Sequence, residues 1–441
     1  MSIMRVQDII VKKRDGKANT PEELEELVGG YVAGRVADYQ VSAWLMASYL
    51  QGLSNQETLA LTHIMADSGE QLDLATLPEP HVDKHSTGGV GDKTSLVVVP
   101  LLAACGCTVV KMSGRGLGIT GGTVDKLESI PGFRTALQPE EMLHVAGACG
   151  CCLAGQTERL TPADRLLYAL RDATATVGSI PLITASIMSK KLAAGADVLL
   201  LDVKCGSGGF MQTLDEARKL AISLLEVGRA AGKRVVACIT DMEAPLGHAV
   251  GNALEVIEAI NTLRGEGPPR FRDFCLALTA EALVAAGRAE DVPSAHGLAK
   301  QRLSDGSALD RFRALVELQG GDPSICDEPE SLMGSLHVET VPAQADGYVS
   351  AIHAGSVGRA VVELGAGRQR REDPIDPQVG VVMAVEVGDR VERDMPLARV
   401  YARDRQAAER AVATVSQAIR LSAEPVAARP VILEKLSQPV G

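Results

Sequence analysis

Positive charge is in deficit in this chain: lysine and arginine number 44 against 56 aspartates and glutamates, a formal net charge of −12. A generally acidic surface argues against a nucleic-acid polymer as partner, while leaving room for a local positive pocket that takes one small anion. A long apolar run is also missing. The most apolar stretch, 96–110, is about 15 residues long and contains Pro100, whereas a membrane-spanning helix needs about 20. No secretory leader shows, because the N-terminus mixes Asp, Lys and Arg with apolar residues. The expectation is a soluble, cytoplasmic protein with neither membrane nor nucleic acid as partner. A disulfide framework is absent as well, since nine cysteines is an odd number in a long chain. Cys149-Gly150-Cys151-Cys152 contains a C-x-x-C. It lacks the second ligand pair of a zinc site and the setting of a redox motif. Buried, reduced thiols are expected.

What is present is apolar material, 46% of 441 residues, and 44 glycines. At roughly 100–200 residues per domain this predicts two or three domains. Thr20-Pro21-Glu22-Glu23 and Ser54-Asn55-Gln56-Glu57 read as helix-capping boxes. Leu24, Leu27, Val28 and Tyr31, then Val41, Trp44, Leu45 and Tyr49, repeat at helical spacing. After a linker at Leu77-Pro78-Glu79-Pro80 the pattern turns to short apolar strands between helices, with strands expected over 107–112, 198–203 and 234–239. Such strands suit a parallel or mixed sheet covered on both faces. A helix pair opened by Thr161-Pro162 and Ile180-Pro181 interrupts the alternation. From about Leu336, turn phrases such as Ala345-Asp346-Gly347 and Val387-Gly388-Asp389 resemble small modules that carry lipoyl or biotinyl lysines. No Met-Lys attachment site accompanies them, so a structural module is expected. Arg368, Arg370 and Arg371 read as a solvated basic turn.

Two glycine-rich segments carry the chemistry. One runs Lys84-His85-Ser86-Thr87-Gly88-Gly89-Val90-Gly91-Asp92-Lys93-Thr94-Ser95. The other runs Lys111-Met112-Ser113-Gly114-Arg115-Gly116-Leu117-Gly118-Ile119-Thr120-Gly121-Gly122-Thr123 and continues to Glu128. Glycine lets backbone N–H groups approach an anion, and helix N-termini bind phosphate. Hydroxyls at Ser86, Ser95, Ser113 and Thr123, with the charge of Lys84, supply donors from several directions. Gly116 to Gly121 also spells G-x-G-x-x-G. A dinucleotide site would need an acid ending a strand about twenty residues on, and 137–141 reads as a helix start instead. Ser186 and Lys190 lie four apart on one expected helix, Tyr168 and Arg171 three apart on the preceding one, so each pair shares a face. Cations there would donate to the carbonyl oxygens of a ring-shaped ligand. Phe210, Leu117 and Val177 are candidates for an apolar wall beside the ring.

These blocks, together with Asp15-Gly16, Gly365-Ala366-Gly367-Arg368 and 372–376, make the chain resemble the thymidine and pyrimidine-nucleoside phosphorylases nearly end to end. The resemblance implies an α/β fold with a mixed or parallel sheet flanked by helices, a separate all-helical lobe (1–78 plus 160–194), an α/β phosphate lobe (79–159 plus 195–335) and a C-terminal β-rich α+β module (336–441). It implies phosphate on Lys84, Ser86, Ser95, Ser113 and Thr123, base contacts at Tyr168, Arg171, Ser186 and Lys190, and a homodimer formed through the helical lobe. Arg171, Lys190 and His85 are the expected catalytic groups: the two cations stabilise charge on the departing base and His85, between Lys84 and Ser86, donates a proton. The reaction implied is reversible phosphorolysis of uridine, thymidine and deoxyuridine. Lys111 stands where strict thymidine enzymes tend to have Met, which points to the broader branch with a contact to a ribose 2′-hydroxyl. Two positions depart from the family: Ile119 replaces a usual His, and Lys93 replaces a hydroxyl residue of a monovalent-cation site. That site would otherwise use carbonyls of Gly91, Leu246 and Ala249 and the carboxylate of Glu258. No cofactor is obligatory, and potassium is left open against occupation of its place by Lys93. The alternatives are a strict thymidine phosphorylase, a phosphoribosyltransferase such as the anthranilate enzyme, and a non-catalytic nucleoside-binding protein.

Overall fold

The computed structural model describes residues 5–116, 118–157, 159–368 and 373–437. Leu117, Arg370 and Arg371, named above, lie outside them. The chain starts with four helices, α1 (Val6–Arg14), α2 (Pro21–Val32), α3 (Asp38–Gln51) and α4 (Asn55–Asp67). It enters the α/β region through β1 (Val82–Ser86), α5 (Thr94–Ala104), β2 (Val109–Ser113), α6 (Thr123–Leu127), α7 (Pro139–Cys149) and β3 (Cys151–Gly155). Helices α8 (Pro162–Ala173) and α9 (Ile180–Ala193) follow, then β4 (Val198–Cys205), α10 (Leu214–Ala230), β5 (Arg234–Asp241) and β6 (Ala249–Val250). Four helices come next: α11 (Asn252–Leu263), α12 (Pro269–Ala285), α13 (Val292–Ser304) and α14 (Ser307–Leu318). The last part holds β7 (His337–Pro342), β8 (Gly347–Ile352), α15 (Ala354–Val361), β9 (Gly380–Met383), β10 (Arg390–Val391), β11 (Pro396–Ala402), α16 (Arg405–Ala418), β12 (Ile419–Ser422) and β13 (Ile432–Ser437).

The expected fold class holds: a helical bundle, an α/β region with a mixed sheet, and a β-rich C-terminal module. Both capping boxes form, Thr20 with Glu23 and Ser54 with Glu57. Helix α1 had no sequence signal, because it is nine residues long and Arg5 makes no side-chain cap. It is held instead by burial of Ile9 and by Lys13, whose Nζ stands 2.7 Å from Glu57. Helices α8 and α9 return to the bundle. Ala163, Leu167, Leu182 and Ala185 share one core with Leu24, Leu27, Trp44 and Leu61. Each such buried Leu contributes about 1.5–3 kcal/mol.

The central sheet runs β1-β4-β5-β13, parallel except for the antiparallel β13 at its edge. Strands β2 and β3 form a parallel pair tied to the start of β1 by a His81–Thr108 bridge. Strands cross the expected border at 335/336 in both directions. β6 joins the C-terminal sheet β6-β9-β11-β7, and β13 returns to the central sheet. All nine cysteines are buried and unpaired. No helix among the described residues is long and apolar enough to cross a membrane.

Candidate active site

Strand β1 is the seam of the site. Side chains alternate along a strand, so Lys84 and Ser86 share one face while Asp83 and His85 share the other. The Lys84 ammonium is fully buried, donates to Thr94 Oγ1 at 3.1 Å and lies 3.2 Å from Asp202 on β4. Lys204, two residues along β4, approaches the same carboxylate at 2.8 Å. Asp92 accepts from the hydroxyls of Ser86 and Thr94. Burial pushes its carboxyl pKa up, but Lys204, Lys84 and Lys126 more than offset this and hold it well below the usual range. Ser95 lies buried in the first turn of α5, where free N–H groups favour an anion. The first glycine loop therefore sits on an alternating lattice of lysines and aspartates.

The second loop leaves β2 at Ser113, whose buried hydroxyl has no hydrogen-bond partner among the described residues. The loop folds tightly on itself: a Cβ on Gly122 would fall 2.2 Å from the Gly116 nitrogen. Asp125 clamps it, accepting from Gly116 N–H at 2.6 Å and from Arg115 and Arg368 at 3.0 Å each. Arg368 is thus no solvated turn residue; it reaches from the C-terminal part of the chain onto this loop. Beneath the loop, a Cβ on Gly358 of α15 would sit 2.8 Å from the Ile119 carbonyl. Thr123 opens α6 and is partly exposed. The two loops face each other, since a Cβ on Gly88 would meet both the Phe210 ring at 3.6 Å and Thr120 Oγ1 at 3.7 Å. Phe210 is 42% exposed and rests on the first loop.

Helices α8 and α9 carry the other cluster. Lys190 donates to Asp164 at 2.5 Å and to Ser186 Oγ at 3.0 Å, while Gln156 donates to Asp164 at 3.1 Å. Burial lowers the Lys190 pKa and Asp164 partly restores it. Arg171 spans the turn between the helices, donating to the carbonyls of Val177 (2.8 Å) and Leu182 (3.1 Å). Its buried Nε has no partner among the described residues. The Tyr168 ring lies 5.8 Å from this guanidinium, and burial pushes the phenol up to about 12. Val177 contributes its carbonyl here, which makes it a brace for Arg171.

The two clusters meet at β1. Lys191, next to Lys190 on α9, donates to Asp83 at 2.8 Å and to the Met112 carbonyl at 3.5 Å, which fastens the helix to β1 and β2. His85 is adjacent to Lys84 in the chain but faces the other way, towards α9. Its pKa is held well below the ordinary histidine value, first by burial and then by Lys191, Lys111, Lys190 and Lys84. The ring is therefore neutral near pH 7, and one imidazole feels lysines from both clusters. Lys111 is buried and forms no hydrogen bond or ion pair among the described residues. Burial and the neighbouring Lys191 lower its pKa, against a smaller opposing pull from Asp83.

Lys93 lies on a third side. Its buried Nζ stands 2.7 Å from Glu258 and donates to the Ala249 carbonyl at 2.8 Å. These are two of the groups a potassium ion would need. The residues present do not fit the ion, because the ammonium fills its place.

Asp83, Asp92, Asp164, Asp202, Lys191 and Lys204 were not singled out from the sequence. The one available signal was charge inside an apolar strand, Asp202 and Lys204 within β4, every residue of which is buried.

Comparison with known proteins follows the same layout. Residues 7–69 match the Glycosyl transferase family, helical bundle domain. Residues 78–309 match the Glycosyl transferase family, a/b domain, and residues 348–422 match the Pyrimidine nucleoside phosphorylase C-terminal domain. A pyrimidine-nucleoside phosphorylase of Geobacillus stearothermophilus is 47% identical over 434 residues, 98% of this chain and 100% of that one. The Bacillus subtilis (strain 168) pyrimidine-nucleoside phosphorylase is 47% identical over 421 residues, 96% and 97% of the two chains. In fold alone, the chain is similar to the crystal structure of anthranilate phosphoribosyltransferase from Thermus thermophilus. That likeness has a TM-score of 0.59 at 20% identity and covers 71% of this chain and 99% of that one. Full-length identity at this level, on top of three matching domains in the same order, means that the chain belongs to the pyrimidine-nucleoside phosphorylase family.

Proposed function

We propose that this enzyme catalyses reversible phosphorolysis of pyrimidine nucleosides, releasing the free base and a pentose 1-phosphate, as a cytoplasmic step of nucleoside salvage. The observation that carries the reading is the two-faced strand β1. One face offers Lys84 and Ser86 to the glycine loops; the other offers His85 to Lys190 across the Asp83–Lys191 contact. Phosphate takes the unpartnered Ser113 hydroxyl, the N-terminal turn of α5 at Ser95, Thr123, Ser86 and the field of Lys84. Arg171, Lys190, Ser186 and Tyr168 hold the pyrimidine.

The nucleophile is already an anion, so no general base is needed to make it. The carboxylates nearest the site do not act as acids: Asp164 and Asp202 are paired with lysines and Asp92 is held ionised. That departs from the raised-pKa acid of a hydrolytic glycosidase. Phosphate attacks C1′ as the glycosidic bond breaks, and negative charge moves onto the base, where Arg171 and Lys190 oppose it. His85 is neutral in the free protein; the charge of a bound phosphate dianion raises its pKa so that the ring takes up a proton from solvent, and the imidazolium then passes that proton to the leaving base. Closing of the helical lobe on the α/β lobe brings the reactants into line and excludes water.

Lys111 supports activity on ribonucleosides as well as deoxyribonucleosides, since its amine has no hydrogen-bond or ion-pair partner among the described residues and suits a 2′-hydroxyl. Val11, Tyr39, Met46, Tyr49 and Leu50 form an exposed apolar set on α1 and α3, which supports a homodimer through the helical lobe. The test is ultraviolet detection of uracil and thymine released from uridine and thymidine, with and without inorganic phosphate. Phosphate-dependent release of both bases is the expected result. Thymine release alone would select the strict branch. The shared fold favours a phosphoribosyltransferase as second reading, and consumption of phosphoribosyl pyrophosphate without phosphorolysis would select it.

A further inference from the structure

We propose that the Lys93 ammonium is a resident monovalent cation, built into the chain, and that this protein holds its first glycine loop in place without potassium. Lys93 is the N-cap residue of α5, between Asp92 and Thr94, and its side chain points its charge elsewhere than into a capping hydrogen bond. Three segments converge on its charge. Glu258 of α11 approaches Nζ at 2.7 Å, and Ala249 of β6 accepts from it at 2.8 Å. The Phe271 ring of α12 lies 5.2 Å away. The same Glu258 carboxylate accepts from the backbone N–H groups of His248 (3.0 Å) and Ala249 (2.7 Å), so the 246–249 turn closes around the ammonium. Packing leaves little slack there: a Cβ on Gly247 would stand 2.9 Å from Nζ and 2.0 Å from the carboxylate, and one on Gly91 would stand 2.7 Å from the Leu246 carbonyl.

A free ion would have to take Ala249 O and Glu258 while sharing one negative charge with an ammonium already on both. Two cations in one buried cage repel strongly. A tethered cation also changes the thermodynamics. An ion stabilises in proportion to its concentration over its dissociation constant, whereas a side chain of the same molecule is always present. The next residue, Thr94, takes the hydrogen bond of Lys84, and Ser95 follows it. The cation therefore props the anion-binding end of the site, whatever the reaction performed there.

Thermal unfolding of the whole protein at equal ionic strengths of KCl, NaCl and choline chloride is the test, since it needs no catalytic readout. Wild type is expected to give superimposable midpoints in the three salts. Lys93→Thr, which empties the cage and leaves an oxygen, is expected to melt lower in choline chloride and to gain roughly 3 °C or more, saturably, in KCl. Lys93→Met, which fills the cage without charge, is expected to melt low in every salt. A saturable potassium-specific rise for wild type would overturn the proposal. So would Lys93→Thr indifferent to the cation, or the two variants responding to potassium alike. If Lys93→Thr does not fold, the wild-type comparison decides alone.

Discussion

Lys111 is a buried amine with no ion-paired acid among the described residues, and that conflict sets its behaviour. Burying an unsatisfied polar group costs about 1–3 kcal/mol, so Lys111→Met is expected to raise the unfolding free energy from urea melts by that much while lowering uridine turnover more than thymidine turnover. Its depressed pKa means that the unfolded chain binds the extra proton between the folded value and about 10.5. Stability therefore rises with pH across that window, and Lys111→Met should flatten the slope in a pH series of urea melts. His85 has the same sign at lower pH. Its folded pKa lies below the ordinary 6.5, so stability falls as pH drops through that value. Asp164 orients Lys190 and sustains its charge; Asp164→Asn is expected to lower kcat about a hundredfold with little change in phosphate KM, checked by varying each substrate. Lys84→Ala should abolish phosphorolysis, yet it will not be silent in folding. Lys84 is fully buried against Asp202, and removing it leaves that carboxylate with one lysine, Lys204, and the Thr240 hydroxyl. A thermal melt of the variant should show the loss. Lys84, Lys111 and the hydroxyls of the candidate site were legible because glycine loops announce them, whereas Lys191 and Lys204 stand outside those loops. Their acids were not, because 83 pairs with 191, 84 with 202 and 126 with 255, separations that no local pattern encodes.

At the level of elements, the second glycine loop is shaped from outside itself. Asp125 ties its first residues to α6, and Arg368 holds Asp125 from the far end of the chain. Charge-assisted hydrogen bonds are worth about 1.5–3 kcal/mol. Asp125→Asn should therefore raise the phosphate KM about tenfold or more with the nucleoside KM unchanged, and Arg368→Gln should shift it in the same direction by less. Equal changes in both constants would show that the clamp acts on the whole site. Helices with capping boxes were readable at their starts, since Thr20 and Ser54 each announce one. Strand limits were less so. The strand expected over 107–112 is Val109–Ser113, because Cys107 still belongs to the turn closing α5. The exchange of β6 and β13 across the border of the C-terminal module left no local trace. A two-residue strand has no period, and β13 finds its partner in β5 only through the tertiary fold.

For the whole molecule, the exposed apolar set on α1 and α3 makes an association test direct. Light scattering after gel filtration is expected to give the mass of two chains, and Leu50→Asp, which charges a residue 72% exposed, is expected to shift it towards one. The Asp83–Lys191 contact places the joint between helical bundle and sheet inside the site. Changes there should couple nucleoside use to phosphate use, where changes at Asp125 do not. The pairing of β13 with β5 has a consequence for biosynthesis. β5 ends at Asp241, and its neighbour on that side begins about 190 residues later. At ribosomal rates of roughly 5–20 residues per second, the flank of β5 stays bare for about 10–40 s in every nascent chain. An open row of amide and carbonyl groups invites pairing with another polypeptide, so crowded polysomes are where this protein is most exposed to aggregation, and a chaperone that shields β5 during those seconds would raise its yield.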